Sequence, residues 1–393
     1  MKIQSIKKIK NLKNKIVFLR VDFNVPLSKG KIKDDYKIKA GLETIKYLVE
    51  RGARIIVATH LGEPVKKFEV AYSVRPVAAR LRTLLKRSVK FLPEAVGLKT
   101  RTAVKNMKPG EIIMFENLRF YPGEYNNDPS FAAELAAPAD IYINDALAVS
   151  HRAQASVDAI KNYLPSYAGL LLEQELYALN KILQPQKPLV VIIGGAKIKT
   201  KAPLILKLQK VADKILVGGG LANNFFKFQG LEIGRSLVDD NSAAVIKKFF
   251  NRKKLNSKII LPSDVVVKTK NGQIKVVKPG AVQATDRILD IGPSTIADFA
   301  VYIKTAQTLV WNGPLGLFEE ASFKHGTLAI ATLMAARSSG RAYGLVGGGE
   351  TVEALKLTKM TKYIDWISTA GGAMLTFLGG GKMPGLNKII SNY

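Results

Sequence analysis

Short apolar, β-branched runs recur along the whole chain, and longer segments with helical spacing separate most of them. The runs are KIVFL (15–19), RIIVAT (54–59), EIIMFE (111–116), DIYIND (140–145) and PLVVII (188–193). They continue with KILVGG (214–219), KIILPS (258–263), TLVWNG (308–313), YGLVGG (343–348) and YIDWIS (363–368). Between them, segments such as RPVAARLRTLL (75–85) and DPSFAAELAA (128–137) carry apolar residues at helical intervals. Strands that alternate with helices are connected by crossovers, so they lie parallel, and helices cover both faces of the sheet. The expected class is α/β, with three-layer α/β/α domains built on mainly parallel sheets.

At 393 residues the chain is long enough for two or more domains with substantial cores. It contains no cysteine, which excludes disulfides, thiolate zinc sites and a cysteine nucleophile, and suits a reducing compartment. No apolar run has the length of a membrane span, and the basic N-terminus MKIQSIKKIKNLKNK lacks the apolar core of a signal peptide. A cytoplasmic protein is expected. The formal net charge is +29, with 60 Lys+Arg against 31 Asp+Glu. Such a surplus raises the question of nucleic acid. The lysines are spread from Lys2 to Lys388 rather than gathered, and neither zinc-finger spacing nor an RNA-recognition aromatic motif is present. The charge therefore reads as a lysine-rich solvated surface with nonspecific polyanion affinity, without a specific nucleic-acid partner.

In an open α/β sheet, ligands sit beyond the carboxyl ends of the strands. The stretch FLRVDFNVPL (18–27) begins as a buried strand and then sets Arg20, Asp22 and Asn24 at alternate positions, on one face if the strand continues. Pro26 then ends its pairing. His60, Arg119 and Arg152 fall near other strand ends of the first half. Arginine forks match carboxylate and phosphate geometry, so such a cluster suits a small polyanion, although each arginine alone reads more readily as a surface or salt-bridge group and His60 alone as structural. From Gly194 onward the strand ends are glycine-rich instead: GGAK, GGG, NGPLG, GGGET and AGGA. Glycine lets main-chain N–H groups approach phosphate oxygens, and tight strand-to-helix turns also require it. Lys197 and Lys201 follow one cluster, and Glu319 and Glu350 end two others, where they could serve ribose or magnesium. Neither a GxxxxGK[ST] loop nor a clean GxGxxG fingerprint is present. Between the halves, GLLLEQELYALNKIL (169–183) reads as a connecting helix.

RVDFNVPL, THLG, ENLRFYPGE, the ND–HRA stretch (144–153), GGAK, GGGLAN, DIGP, WNGPLGLFE, VGGGET and STAGGA occur in this order. Together, over essentially the whole chain, they resemble phosphoglycerate kinase. The resemblance implies two Rossmann-like domains. An N-terminal domain (1–168) would bind 3-phosphoglycerate, a connecting helix or hinge would cover 169–186, and a C-terminal domain (187–378) would bind nucleotide. The last residues, 379–393, would pack back on the first domain. It implies reversible phosphoryl transfer from MgATP to the carboxylate of 3-phosphoglycerate, by hinge closure, in a monomer with no membrane partner. Asp22 and Asn24 would bond the glycerate hydroxyl, and Arg20, Lys37, His60, Arg119 and Arg152 would hold the acid, with position 63 beside them. Arg20, Lys37 and Lys197 would act on the transferring group. The nucleotide would be held by Gly194, Gly195, Lys197, Lys201, Gly218, Gly219, Leu289, Asn312, Gly313 and Pro314, and by Glu319, Gly347, Gly348, Gly349, Glu350 and Thr351. Glu350 would take the magnesium ion.

The chain departs from the family pattern within the site. Lys37 and Glu63 stand where the pattern has arginine, Gln154 where it has histidine, Thr200 and Glu350 where it has aspartate, and Ala370 where it has glycine. Lysine at 37 keeps the charge without the fork. Glu63 reverses it, which is repulsive to a substrate phosphate unless the side chain turns away or pairs with Lys66 or Lys67. Two other readings stay open on these residues: a binding protein that has lost turnover, and a kinase for a related phosphorylated acid.

Overall fold

The computed structural model describes residues 1–64, 68–239, 242–250 and 257–391. The chain divides into two compact units, Met1–Tyr177 with Lys382–Tyr393, and Ala178–Gly381. The dividing point falls inside the helix Leu170–Leu183. Among the described residues no helix is long and apolar enough to cross a membrane.

The first unit is built on six strands: β1 (Ile16–Val21), β2 (Arg54–Ala58), β3 (Lys90–Leu92), β4 (Ile112–Phe115), β5 (Ile141–Asp145) and β6 (Ser166–Ala168). All are parallel, in the order β3-β4-β2-β1-β5-β6. β1 is central, and the chain reverses its direction of travel across the sheet between β1 and β5. Both faces of β1 are sealed, which explains why it reads as an unbroken apolar run. Val17, Leu19 and Val21 join one core with Ile55, Val57, Ile141 and Ile143. On the other face Phe18 meets Phe115 edge-on at 6.3 Å and Tyr142 at 6.2 Å, centroid to centroid. The C-terminal segment lies on this unit. Ile390–Ser391 pairs antiparallel with Lys2–Ile3, Gly385 N donates to Ser150 O at 2.9 Å, and Lys161 Nζ donates to the carbonyls of Pro384 and Asn387.

The second unit has the strands β7 (Leu189–Ile193), β8 (Lys214–Val217), β9 (Ile259–Ile260), β10 (Val265–Lys268), β11 (Ile274–Val277) and β12 (Arg287–Ile291). They are followed by β13 (Thr308–Asn312), β14 (Tyr343–Gly347) and β15 (Trp366–Ser368). The order β9-β8-β7-β13-β14-β15 forms a parallel sheet that reverses between β7 and β13, the doubly wound pattern with one switch point. Trp311 of β13 is wholly buried among Val190, Ile192 and Leu309. The separate antiparallel sheet β11-β10-β12 was not expected from the sequence. Its signal was present in TKNGQ, because Asn271-Gly272 between two β-branched runs is a hairpin turn, and Gly272 has the positive φ (+80°) that such turns need.

The helix Leu170–Leu183 starts over a buried acid. Asp145, at the end of β5, accepts from Leu172 N at 3.0 Å, and a Cβ on Gly169 would lie 2.2 Å from its Oδ1. Glycine is required there by close approach. Burial pushes the Asp145 carboxyl up to about 7, against the amides and Thr44 hydroxyl that pull it down.

Candidate active site

The first half of the site grows from the end of β1. The ladder stops at Val21, before the alternation in RVDFN (20–24) is complete. The reason is local bonding. Phe23 N donates to Thr59 Oγ1 at 2.9 Å and Asn24 N donates to Asp22 Oδ1 at 3.2 Å, so these amides leave the sheet. Only Arg20 therefore points from the strand, while Asp22 and Asn24 belong to the loop beyond it.

Arg20 is sealed off. Its side chain and that of Glu124 are both 0% exposed, with Nη2 3.9 Å from Glu124 Oε1. Nε donates to Ser156 Oγ at 2.8 Å and Nη1 to Val21 O at 2.6 Å. Glu124 in turn accepts from Ser156 N at 2.9 Å and Ser156 Oγ at 2.6 Å. Arg20, expected to hold the acid, is thus buried beneath the other groups and bonded to protein partners. Glu124 and Ser156 were missed as its partners, although Glu124 stands in the quoted stretch ENLRFYPGE.

Above this floor the remaining groups converge. Arg20 Nη2 lies 3.4 Å from His60 Nδ1. His60 is buried, and burial followed by the charges of Arg20, Arg119, Lys37 and Arg152 holds its pKa well below 6.5, so the ring is neutral. Lys37 Nζ reaches Asp22 Oδ2 at 2.6 Å from the helix Tyr36–Ala40. Asn24 Oδ1 accepts from Gly62 N at 3.0 Å. Arg119 sits in a short 3-10 turn, Leu118–Phe120, capped by Asn117, whose side chain also holds Leu61 N and O. The structure thus brings together Arg20, Asp22, Asn24, Lys37, His60, Arg119 and Arg152, all from strand ends or the segments after them except Lys37, which comes from the helix Tyr36–Ala40.

Glu63 does not turn away. Its Oε1 meets Arg119 Nη1 at 2.6 Å and Arg152 Nη1 at 3.2 Å, and Oε2 accepts from Tyr125 OH at 3.2 Å. Lys66 and Lys67, the partners expected for it, lie outside the described residues. Burial raises the Glu63 carboxyl, but Arg119, Arg152 and Tyr125 together hold it below the usual range.

In the second unit the expected residues gather at the switch point between β7 and β13. Gly195, Gly219, Leu289, Pro314, Glu319 and Glu350 line a cavity of about 220 Å³ with Phe226, Leu237 and Val265 as apolar walls. Behind it, Asn312 ties the strand ends together. Its Nδ2 donates to Gly347 O at 2.6 Å, its Oδ1 accepts from Lys201 Nζ, and Gly313 N donates to Thr351 Oγ1 at 2.7 Å. Burial lowers the Lys201 ammonium to about 8, with Glu350 pulling the other way. Lys197 is exposed just before the helix Ile198–Leu208.

The glycines serve differently from the expectation that their amides face phosphate. Gly194 N donates to Asn312 O, Gly195 N to Pro314 O, Gly218 N to Ile193 O and Gly219 N to Leu315 O. A Cβ on Gly194 would lie 2.0 Å from Pro314 O, and one on Gly313 2.3 Å from Gly194 O. These residues are glycine because the loops after β7, β8 and β13 touch backbone to backbone. The helix Gly349–Leu357 also starts without a side-chain cap, at Gly348, as Gly219–Phe228 does at Gly218, and it alone of the two carries an acid, Glu350, in its first turn.

Over nearly its whole length the chain is similar to known proteins. The family model described as phosphoglycerate kinase matches residues 6–381. The phosphoglycerate kinase of Moorella thermoacetica is 42% identical over 380 residues, covering 95% of this chain and 96% of that one. That of Pseudothermotoga lettingae is 42% identical over 402 residues, covering 99% of each. Among solved structures, phosphoglycerate kinase from Coxiella burnetii has a TM-score of 0.86 at 37% identity, covering 99% of each chain. The enzyme from Pyrococcus horikoshii has a TM-score of 0.82 at 30% identity, covering 98% of each.

Proposed function

Because the chain belongs to the phosphoglycerate kinase family, we propose that it carries out this reaction with the first unit holding 3-phosphoglycerate and the second holding ATP or ADP. The observation that carries the reading is the convergence of Lys37, Arg119 and Arg152 around neutral His60 at the carboxyl ends of one sheet. That is a seat for an acid with two anionic groups. A carboxylate nucleophile needs no general base, so positioning and charge stabilisation suffice. The coupled assay with 3-phosphoglycerate and MgATP tests it, and absence of turnover would overturn it in favour of a non-catalytic binding protein or a different acid.

The cavity in the second unit suits a nucleoside, with Leu289 against the base, Glu319 toward ribose, and Lys201 with the start of Gly349–Leu357 toward the phosphates. Among the described residues no three His, Cys, Asp or Glu side chains form a preformed metal cluster. Glu350 is an exposed carboxylate at the start of the helix Gly349–Leu357 and lines that cavity together with Asp290 and Glu319, which fits magnesium, an ion that takes one or two carboxylates and completes its shell with phosphates and water. Magnesium bound with the nucleotide supplies charge neutralisation on the phosphate oxygens. A cytoplasmic monomer acting on small molecules is the corresponding reading of localisation and partners.

Two outcomes are expected. Arg119→Ala should raise the KM for 3-phosphoglycerate roughly 10- to 100-fold, the cost of one buried charged hydrogen-bond donor, and leave the KM for ATP within twofold. Arg152→Ala, at a side chain 42% exposed, should do less. Equal weakening of ATP would remove the separation of the two sites. Direct transfer also requires the two sites to meet. Small-angle scattering should therefore give a smaller radius of gyration with both substrates than with either alone.

A further inference from the structure

We propose that Glu63 is a tethered counter-anion: its carboxylate occupies the anion seat made by Arg119 and Arg152, and an anionic group of the incoming acid must displace it. The inference rests on the acid-site reading above and adds a selectivity device to it. Three donors converge on this one carboxylate, Arg119 Nη1, Arg152 Nη1 and Tyr125 OH. They come from three different segments, as the donors of a bound ligand would. The same Arg119 nitrogen also holds Gly62 O at 2.6 Å, while its Nε and Nη2, both buried, meet no acceptor among the described residues. The fork therefore has donor capacity in reserve.

Displacement is mechanically simple. Gly62 is held on both sides, by Asn24 Oδ1 on its N–H and by Arg119 on its carbonyl, so the backbone beside Glu63 stays put. The Glu63 side chain is 61% exposed and can rotate into water. The Glu63–Arg152 pair is exposed on both sides and weak, whereas Arg119 is only 2% exposed, so the block on the seat rests mainly on the contact with Arg119. A simple anion with one point of attachment must pay for removing Glu63 from that single contact. An acid with a second anionic group draws on cations elsewhere, such as Lys37. Glu63 thus biases the site against inorganic phosphate and sulfate and toward acids with two anionic groups.

The test compares the wild type with Glu63→Gln, Glu63→Ala and Glu63→Asp, using inorganic phosphate as probe by calorimetry and as inhibitor against 3-phosphoglycerate. Glu63→Gln and Glu63→Ala should tighten phosphate binding roughly three- to tenfold, and lower the KM for 3-phosphoglycerate rather than change kcat. Glu63→Asp, which keeps the charge and loses reach, should move toward the Gln value. The gap should narrow in 0.5 M salt (roughly 4 Å screening length). Unchanged or weaker phosphate binding in Glu63→Gln overturns the proposal, as does an Asp variant identical to the wild type, which would make the effect one of field rather than occupancy. Calorimetry with phosphate needs no turnover. A wild type inactive on 3-phosphoglycerate would therefore sink the kinase reading and still leave Glu63 decided.

Discussion

Arg20→Met is expected to lower the free energy of unfolding by about 3–5 kcal/mol, read from urea denaturation at neutral pH. The size follows from what the substitution leaves behind. Glu124 is 0% exposed and 3.9 Å from the guanidinium, so removing Arg20 strands a carboxylate in a sealed interior. The Ser156 hydroxyl, which accepts from Arg20 Nε and donates to Glu124, loses one partner, and Val21 O loses the Nη1 donor. Breaking one partner of a buried pair costs far more than replacing both. Arg20→Met with Glu124→Leu should therefore recover a large part of the loss, although Ser156 N is then left without its acceptor. A single variant that loses less than about 1 kcal/mol would mean that the guanidinium acts through the ligand rather than as part of the core.

The same residue shows where the sequence is legible and where it is not. Runs such as PLVVII and TLVWNG are strands in the structure, and RPVAARLRTLL coincides with the helix Arg75–Leu85, because parallel strands buried on both faces and amphipathic helices leave periodic traces. The edge strands β3 and β6 left none: KFL and SYA have no run of buried apolar residues, whereas the equally short β15 does stand in the run YIDWIS. The positions of Arg20, His60, Arg119 and Arg152 near strand ends were legible too. Which of them would be floor and which would face outward was not, because burial of Arg20 is decided by Glu124 and Ser156, far along the chain. Glu63 is the sharpest case. The charge reversal was evident from one residue, whereas its pairing with Arg152, 89 positions away, depends on tertiary geometry. The glycine clusters marked the right loops for a partly different reason, namely backbone contact among three turns.

Lys201→Met should lower kcat/KM for ATP by roughly two to three orders of magnitude, the scale of losing one preorganised group that meets developing phosphate charge in a dry site. The structure also gives this lysine a signature in pH. Burial lowers its ammonium to about 8 in the free protein, with Glu350 opposing. A polyphosphate beside it would favour the charged form, so ATP binding near pH 8 should take up a proton, measurable by calorimetry in two buffers of different ionisation enthalpy. The KM for ATP should accordingly rise as pH goes from 7 to 9, and Lys201→Arg, which does not titrate there, should flatten that rise. The stability sign is opposite to that of a paired lysine. The folded pKa lies below the unfolded value of about 10.4, so the unfolded chain holds the extra proton between the two. Stability from this group thus rises with pH from about 8 toward 10.4, and Lys201→Met should remove that rise. Equal binding enthalpies in the two buffers, together with an unchanged ATP profile in Lys201→Arg, would take Lys201 out of the phosphate site and leave it a partner of Asn312.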